Sequence, residues 1–157
     1  MLQLSPKFKE FILTETKRDF LEGTTAAGKT TVGIFKFMLM VAKSDIKYHV
    51  IAGADLGTVE KNVINNERGL LDQFDGLAEY YPKGQGRIGL SHIKYQTPNG
   101  EKIIYVCGYD NKARWKKVLG SQQGCVYIDE VNTADMEFLR EISHRCKYMI
   151  CLLYTSP

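Results

Sequence analysis

Lys17 to Thr31 read KRDFLEGTTAAGKTT, and this stretch decides the fold. Residues 17 to 22, KRDFLE, are short and partly apolar and run into Gly23, which suits a strand entering a turn. Gly23-Thr24-Thr25-Ala26-Ala27-Gly28-Lys29-Thr30 then fills the pattern GxxxxGK[ST] in full. A phosphate chain wrapped by backbone N–H groups needs a loop that turns sharply and passes close to the anion. Gly23 and Gly28 permit that, and Ala26 and Ala27 add no bulk. A helix predicted over Lys29 to Lys43 would aim its N-terminal N–H groups at the same anion. In that arrangement Lys29 reaches the β- and γ-phosphates, the Thr30 hydroxyl ligates Mg²⁺, and Thr31 adds a contact to the α-phosphate. The plain alternative is a glycine-rich turn that merely starts a helix. The strand before the motif and the helix after it favour the nucleotide reading.

Further along, Cys125-Val126-Tyr127-Ile128-Asp129-Glu130 is an apolar run that ends in two carboxylates. In an open α/β sheet ligands bind at the carboxyl ends of the strands. Asp129 therefore suits Mg²⁺, directly or through water, and Glu130 suits polarising an attacking water. Four apolar residues followed by Asp-Glu would be weak evidence alone; with a complete phosphate loop in the same chain they point to ATP hydrolysis with Mg²⁺.

Other segments alternate between helix and strand signals. Residues 6 to 13 predict a short helix with Phe8, Phe11 and Ile12 on one side. The Lys29–Lys43 helix is apolar on nearly every side and should be deeply buried. Tyr48 to Ala54 predicts a strand and Leu56 to Asn66 a helix, while residues 69 to 90 show no clear period. His92 to Gln96 and Lys102 to Cys107 flank Thr97-Pro98-Asn99-Gly100, a hairpin signal. Thr133 to Arg145 predicts a helix capped by Asn132 or Thr133, with Met136, Leu139 and Ile142 on its apolar face; Lys147 to Leu153 predicts a last strand. Alternation of this kind, with CVYI and YMICLL apolar throughout, predicts an α/β three-layer sandwich around a mainly parallel sheet. A glutamate beside the aspartate places the chain among P-loop NTPases with an additional strand between the two motif strands. Residues 48 to 66 and the hairpin at 92 to 107 leave room for that insertion.

Composition is that of a globular protein. The 157 residues are 44% hydrophobic and 25% charged, which excludes a disordered tail, a collagen-like fibre and a disulfide-stapled miniprotein. One domain over residues 1 to 157 is expected. The net charge of +3 is too small to imply nucleic-acid binding by itself, although eight basic and only two acidic side chains lie between Lys83 and Lys117. Within that stretch KARWKKVLG, residues 112 to 120, surrounds the only tryptophan with four basic residues. It could touch DNA phosphates or supply transition-state charge; a solvated basic edge with Trp115 as a core plug is the reading favoured. Cys107, Cys125, Cys146 and Cys151 form no CxxC pair and read as reduced thiols. His144, Cys146 and Cys151 lack a second ligand pair and read as structural residues, not a zinc site. Val32 to Ala42 is too short to span a bilayer, and the first ten residues lack a signal-peptide core, so no membrane partner is expected.

Taken jointly, FLEGTTAAGKTT, YHVIAGADLGTVEKNVI, IIYVCGYDNKARWKKVLG and GCVYIDEVNTADMEFLREISHR resemble the ATPase domain of the large terminase subunit of tailed bacteriophages. The resemblance implies an ATP-driven motor that moves double-stranded DNA into a capsid. It also implies a homo-oligomeric ring on a portal protein, a small terminase subunit as partner, and the host cytoplasm as location. By position, Gly23, Thr24, Thr25, Ala26, Ala27, Gly28, Lys29, Thr30 and Thr31 would bind ATP, Thr30 and Asp129 would hold Mg²⁺, and Glu130 and Lys29 would act in catalysis. Many members carry an arginine inside the phosphate loop; here Thr24 to Ala27 stand there, so that charge must come from elsewhere in the chain, with Arg114 and Arg140 as candidates, or from a neighbouring subunit. A glutamine that reads adenine often precedes the first strand; Phe8 lies near that place and Gln3 earlier, so adenine contacts are unassigned. Thr155 and Ser156 are displaced from the family's coupling motif, and residues 151 to 157 look like a non-native tail. The chain is accordingly expected to be a truncated ATPase domain without the family's nuclease domain. Other readings are a helicase-like DNA-translocating ATPase and an ATP-binding module without useful turnover.

Overall fold

The computed structural model describes residues 6–14, 16–23, 26–120 and 122–154. Seven strands form one sheet, in the order β1-β7-β6-β2-β5-β4-β3. These are β1 (Arg18–Gly23), β2 (Tyr48–Gly53), β3 (Ala78–Tyr81), β4 (His92–Thr97), β5 (Gly100–Gly108), β6 (Gln123–Ile128) and β7 (Cys146–Tyr154). The neighbours β1, β7, β6, β2 and β5 pair in parallel; β4 and β3 join antiparallel at one edge. The α/β sandwich with a mainly parallel sheet is therefore as expected, and a strand does lie between the two motif strands β1 and β6. That strand is β7, not residues 48 to 66: β2 lies on the far side of β6. Cys151 to Tyr154 complete β7, pairing with Phe20 to Gly23 of β1; Thr155 to Pro157 lie outside the described residues.

Both faces of the sheet are covered, which is why the central strands are apolar at successive positions. On one face Tyr127 of β6 and Ile150 and Leu152 of β7 pack against Ile34, Phe37 and Met38 of helix α2 (Ala26–Lys43). On the other, Val126, Ile128 and Met149 meet Trp115 of α5 (Lys112–Val118) and Phe138 and Ile142 of α6 (Met136–Arg145). Gly33 lets α2 lie close over three strands: a Cβ there would stand 3.3 Å from Leu152 Cδ1 and Leu21 Cδ1 and 3.4 Å from Tyr127 Cε2.

Several local details depart from the sequence pattern. Helix α2 begins at Ala26, three residues before the predicted start, so its first turn is built from the phosphate-loop motif itself. The helix predicted over residues 56 to 66 splits into α3 (Leu56–Val59), capped by Asp55, and a wider π-turn (Glu60–Ile64) closed by the bond from Asn65 N to Glu60 O at 2.8 Å. Short α4 (Leu70–Gln73) and β3 arise in the region without a clear period. Helix α6 begins at Met136; its cap is Asp135, whose carboxylate accepts from Phe138 N at 3.1 Å, and Met136 is 66% exposed. Val131–Thr133 forms a separate 3₁₀ turn, which uses up the residues expected to cap the helix.

One buried charge ties the N-terminal helix α1 (Pro6–Leu13) to α2. Lys36, 1% exposed, donates to the carbonyls of Phe11 and Thr14 at 2.8 Å each and lies 2.7 Å from Asp19 Oδ2. The ammonium thus satisfies carbonyls at the C-terminal end of α1 that no helical N–H can reach. Burial works to raise the Asp19 carboxyl, but hydrogen bonds from Lys36, Thr16 and Tyr148 outweigh it and hold it below the ordinary carboxylate range. Lys36→Met should cost about 3 kcal/mol in urea unfolding, because it removes one partner of a buried pair. A change under about 0.5 kcal/mol would show that the pair contributes only geometry.

His49, fully buried on β2, accepts from Cys125 N at Nδ1 (2.9 Å), while Nε2 donates to Ile46 O (2.8 Å). Burial pushes its pKa down to about 4, with Lys102 adding to the effect against the bond to Ile46. The folded protein then holds His49 neutral while the unfolded chain, near 6.5, takes up a proton. Stability from this group is complete above pH 6.5 and is lost as pH falls toward 4, on the order of 3 kcal/mol in all. Unfolding free energies from about pH 7 to about pH 4.5 should fall more steeply for the wild type than for His49→Asn; parallel curves would contradict this.

Candidate functional site

Parallel pairing brings the C-terminal ends of β1, β7, β6, β2 and β5 to one edge of the sheet. Gly23 closes β1 opposite Tyr154 of β7. Thr24 and Thr25 lie outside the described residues. Ala26, Ala27 and Gly28 form the first turn of α2, where helical N–H groups have no intrahelical acceptor, which makes that end attractive to anions.

The next three residues turn inward. Lys29 is 7%, Thr30 4% and Thr31 9% exposed. Lys29 Nζ donates to the carbonyl of Leu153 on β7 at 3.1 Å. Burial pushes the Lys29 pKa down, while the charges of Glu22 and Asp129 pull it partly back. Lys29 of the first motif and Asp129 of the second are therefore close enough to act on each other. Thr31 holds its helix turn to α4, its carbonyl accepting from Gln73 Nε2 at 3.1 Å.

Asp129 stands directly beyond β6 and is 1% exposed, its amide donating to Ala52 O of β2 at 2.9 Å. A carboxylate so buried is costly unless matched by cationic or hydrogen-bonding groups. Glu130, the next residue, is half-buried and takes a left-handed backbone, φ +50° and ψ +58°. Tyr109 Oη and Thr133 Oγ1 each lie 2.9 Å from its carbonyl and 2.5 Å from each other, so two hydroxyl protons are shared among three oxygens, while Thr133 N donates to the same carbonyl at 3.0 Å.

Tyr109 is the residue that sequence reasoning missed. It follows β5, is 6% exposed, and its amide donates to Gly53 O at 2.9 Å. Burial raises its phenol, and Glu130, Asp129 and Asp55 add to that through their charges, against a bond with Thr133. The residues that follow β2 and β6, Asp55, Asp129 and Glu130, thus lie within electrostatic reach of the one hydroxyl that follows β5. A strand direction for β5 would have revealed this, but a hairpin signal does not say which neighbour lies on the strand's other side.

Other expected residues fall elsewhere. Trp115 is a core plug, 1% exposed, with its ring 5.4 Å from that of Phe138. Lys112 and Lys116 sit on the surface at 2.8 and 3.8 Å from Glu137 of α6. Arg114, partly buried on α5, acts through its charge on Cys107 and Tyr80, and Arg140 is exposed on α6. Gln3 lies outside the described residues, as do Thr155 and Ser156.

Chemically, the edge offers a helix N-terminus, a buried ammonium, a buried hydroxyl and two successive carboxylates. No family model and no curated protein matches the chain. Among solved structures it is similar to the large terminase of a thermophilic bacteriophage. One crystal form superposes with a TM-score of 0.80 at 16% identity, covering 97% of this chain and 39% of that one. The same phage protein in complex with ATP-γ-S gives 0.75 at 16% identity, over 96% and 38%. In complex with ADP it gives 0.72 at 17% identity, over 96% and 39%. The chain thus spans about two fifths of the length of these terminase structures, and what it shares with them at such identities is the fold.

Proposed function

We propose that the chain is the ATP-hydrolysing part of a phage DNA-packaging motor. The observation that carries this reading is the placement of buried Lys29, in the first turns of α2 and bonded to Leu153 O of β7, and of buried Asp129 beyond the neighbouring strand β6, at the edge where open α/β sheets bind ligands. The terminase of the same fold has been seen with ATP-γ-S and with ADP, which supports a nucleotide here.

In this reading Gly23 to Thr31 wrap the phosphates. Lys29 Nζ leaves the Leu153 carbonyl for the β- and γ-phosphates, and the amides of the first turn of α2 face the same anion. Among the described residues there is no group of three or more His, Cys, Asp or Glu arranged for a metal. The donors present, the Asp129 carboxylate and the Thr30 hydroxyl, are few, hard and oxygen-based. That set fits Mg²⁺, which keeps most of its waters and takes phosphate oxygens. When bound, the ion neutralises charge that gathers on the phosphates. Glu130 accepts hydrogen bonding from the attacking water and orients its oxygen in line with the γ-phosphorus. The new P–O bond forms as the bond to the ADP oxygen breaks, and the water's proton passes to Glu130 and from it to solvent. A positive charge from a neighbouring subunit completes the transition state.

The longer protein would couple these steps to movement of double-stranded DNA, as a homo-oligomeric ring on a portal protein with a small terminase subunit, in the host cytoplasm. Among the described residues no helix is long and apolar enough to cross a membrane.

The test is phosphate release measured beside nucleotide binding. Glu130→Gln should lower turnover by about a hundredfold or more and leave ATP binding intact. Lys29→Ala should weaken both. Unchanged turnover in Glu130→Gln would remove that residue from the reaction.

A further inference from the structure

Glu130 holds a backbone conformation that its residue type disfavours. A left-handed φ costs a side-chain-bearing residue on the order of 1–2 kcal/mol. Arg68 is the other non-glycine residue with positive φ among the described residues. An outlier at a carboxylate that faces the reaction asks what holds it there.

The hold comes from outside the strand that carries Glu130. Tyr109 Oη and Thr133 Oγ1 both reach the Glu130 carbonyl at 2.9 Å, and they stand 2.5 Å from each other. Tyr109 Oη also lies 3.3 Å from the Asp129 carbonyl. Tyr109 itself is fixed: its amide is bonded to β2 and its ring lies 5.8 Å from that of Phe138. The ring packing would be served equally by phenylalanine. What the tyrosine adds is a hydroxyl aimed at the turn between Asp129 and Thr133. Released from these bonds, Glu130 could relax to right-handed or extended backbone, and its Cα–Cβ bond would point elsewhere.

We propose that Tyr109 and Thr133 are a positioning pair that holds Glu130 in its left-handed conformation and so aims its carboxylate at the attacking water. This rests on the reading of Glu130 as the catalytic carboxylate. Neither residue touches nucleotide; each acts through the Glu130 carbonyl. The pair should therefore govern turnover and leave nucleotide affinity alone.

The experiment compares wild type, Glu130→Gln, Tyr109→Phe, Thr133→Val and Thr133→Ser. It reads kcat, KM, nucleotide affinity and hydrogen exchange of the Thr133 amide. Tyr109→Phe and Thr133→Val should each lower kcat on the order of tenfold, with KM and affinity within about twofold. Thr133→Ser, which keeps the hydroxyl, should restore kcat. The Thr133 amide, bonded to the same carbonyl, should exchange faster in Tyr109→Phe. If wild type turns over ATP, Glu130→Gln does not, and Tyr109→Phe keeps the wild-type kcat, the positioning is overturned alone. A parallel loss of affinity in Tyr109→Phe would also overturn it, as that is the mark of a general structural fault. No turnover in wild type, or equal turnover in wild type and Glu130→Gln, overturns the assignment of Glu130 and the aiming with it.

Discussion

Strand β7 hydrogen-bonds along both edges, to β1 through Met149 to Tyr154 and to β6 through Cys146 to Cys151. Its side chains go alternately to the two layers: Tyr148, Ile150 and Leu152 toward α2, Met149 and Cys151 toward α6. A strand paired along both edges and covered on both faces has little freedom to shift register, because a slip by one residue would exchange its two faces. Its position sets the spacing between β1, which leads into the first turn of α2, and β6, which Asp129 follows directly. Leu153 also lends its carbonyl to Lys29. The distance between the two halves of the proposed nucleotide site is thus the width of one inserted strand.

The helices are held to this frame by different means. Helix α2 comes close because Gly33 has no side chain where it crosses β1, β7 and β6. Helix α1 is fastened through the buried Lys36, which meets Asp19 of β1 and two carbonyls of the α1 end. The ion pair and its hydrogen bonds offset the cost of desolvating both charges, which isolated groups could not do. On the opposite face, Trp115, Phe138 and Tyr109 form a chain of rings from α5 to the carboxylate edge. The hydroxyl at the end of that chain is the one that reaches Glu130.

Much of this was legible in the residues. GTTAAGKT and CVYIDE pointed to both motif strands and to the α/β class, because phosphate wrapping and a buried parallel strand each make narrow demands on residue type. The identity of the inserted strand was not legible: YMICLL announces a buried strand but carries no sign of which neighbours it takes. The cap of α6 went to Asp135 because Val131 to Thr133 were drawn into a turn of their own, an outcome set by Glu130's conformation and by Tyr109, distant in sequence. Strand β3 and helix α4 are too short for a period to show. Tyr109 escaped notice for a related reason, since a tyrosine after an apolar strand looks like core until the sheet order is known.

The central claim is that a nucleoside triphosphate sits between the first turn of α2 and the tip of β6. A crystal structure grown with Mg²⁺ and a slowly hydrolysed ATP analogue tests it most directly. Phosphate density is expected against the amides of Ala26 to Lys29, with Lys29 Nζ moved from the Leu153 carbonyl to the phosphates and the ion between them and Asp129. Nucleotide bound elsewhere on the chain, with Lys29 still on Leu153, would contradict it.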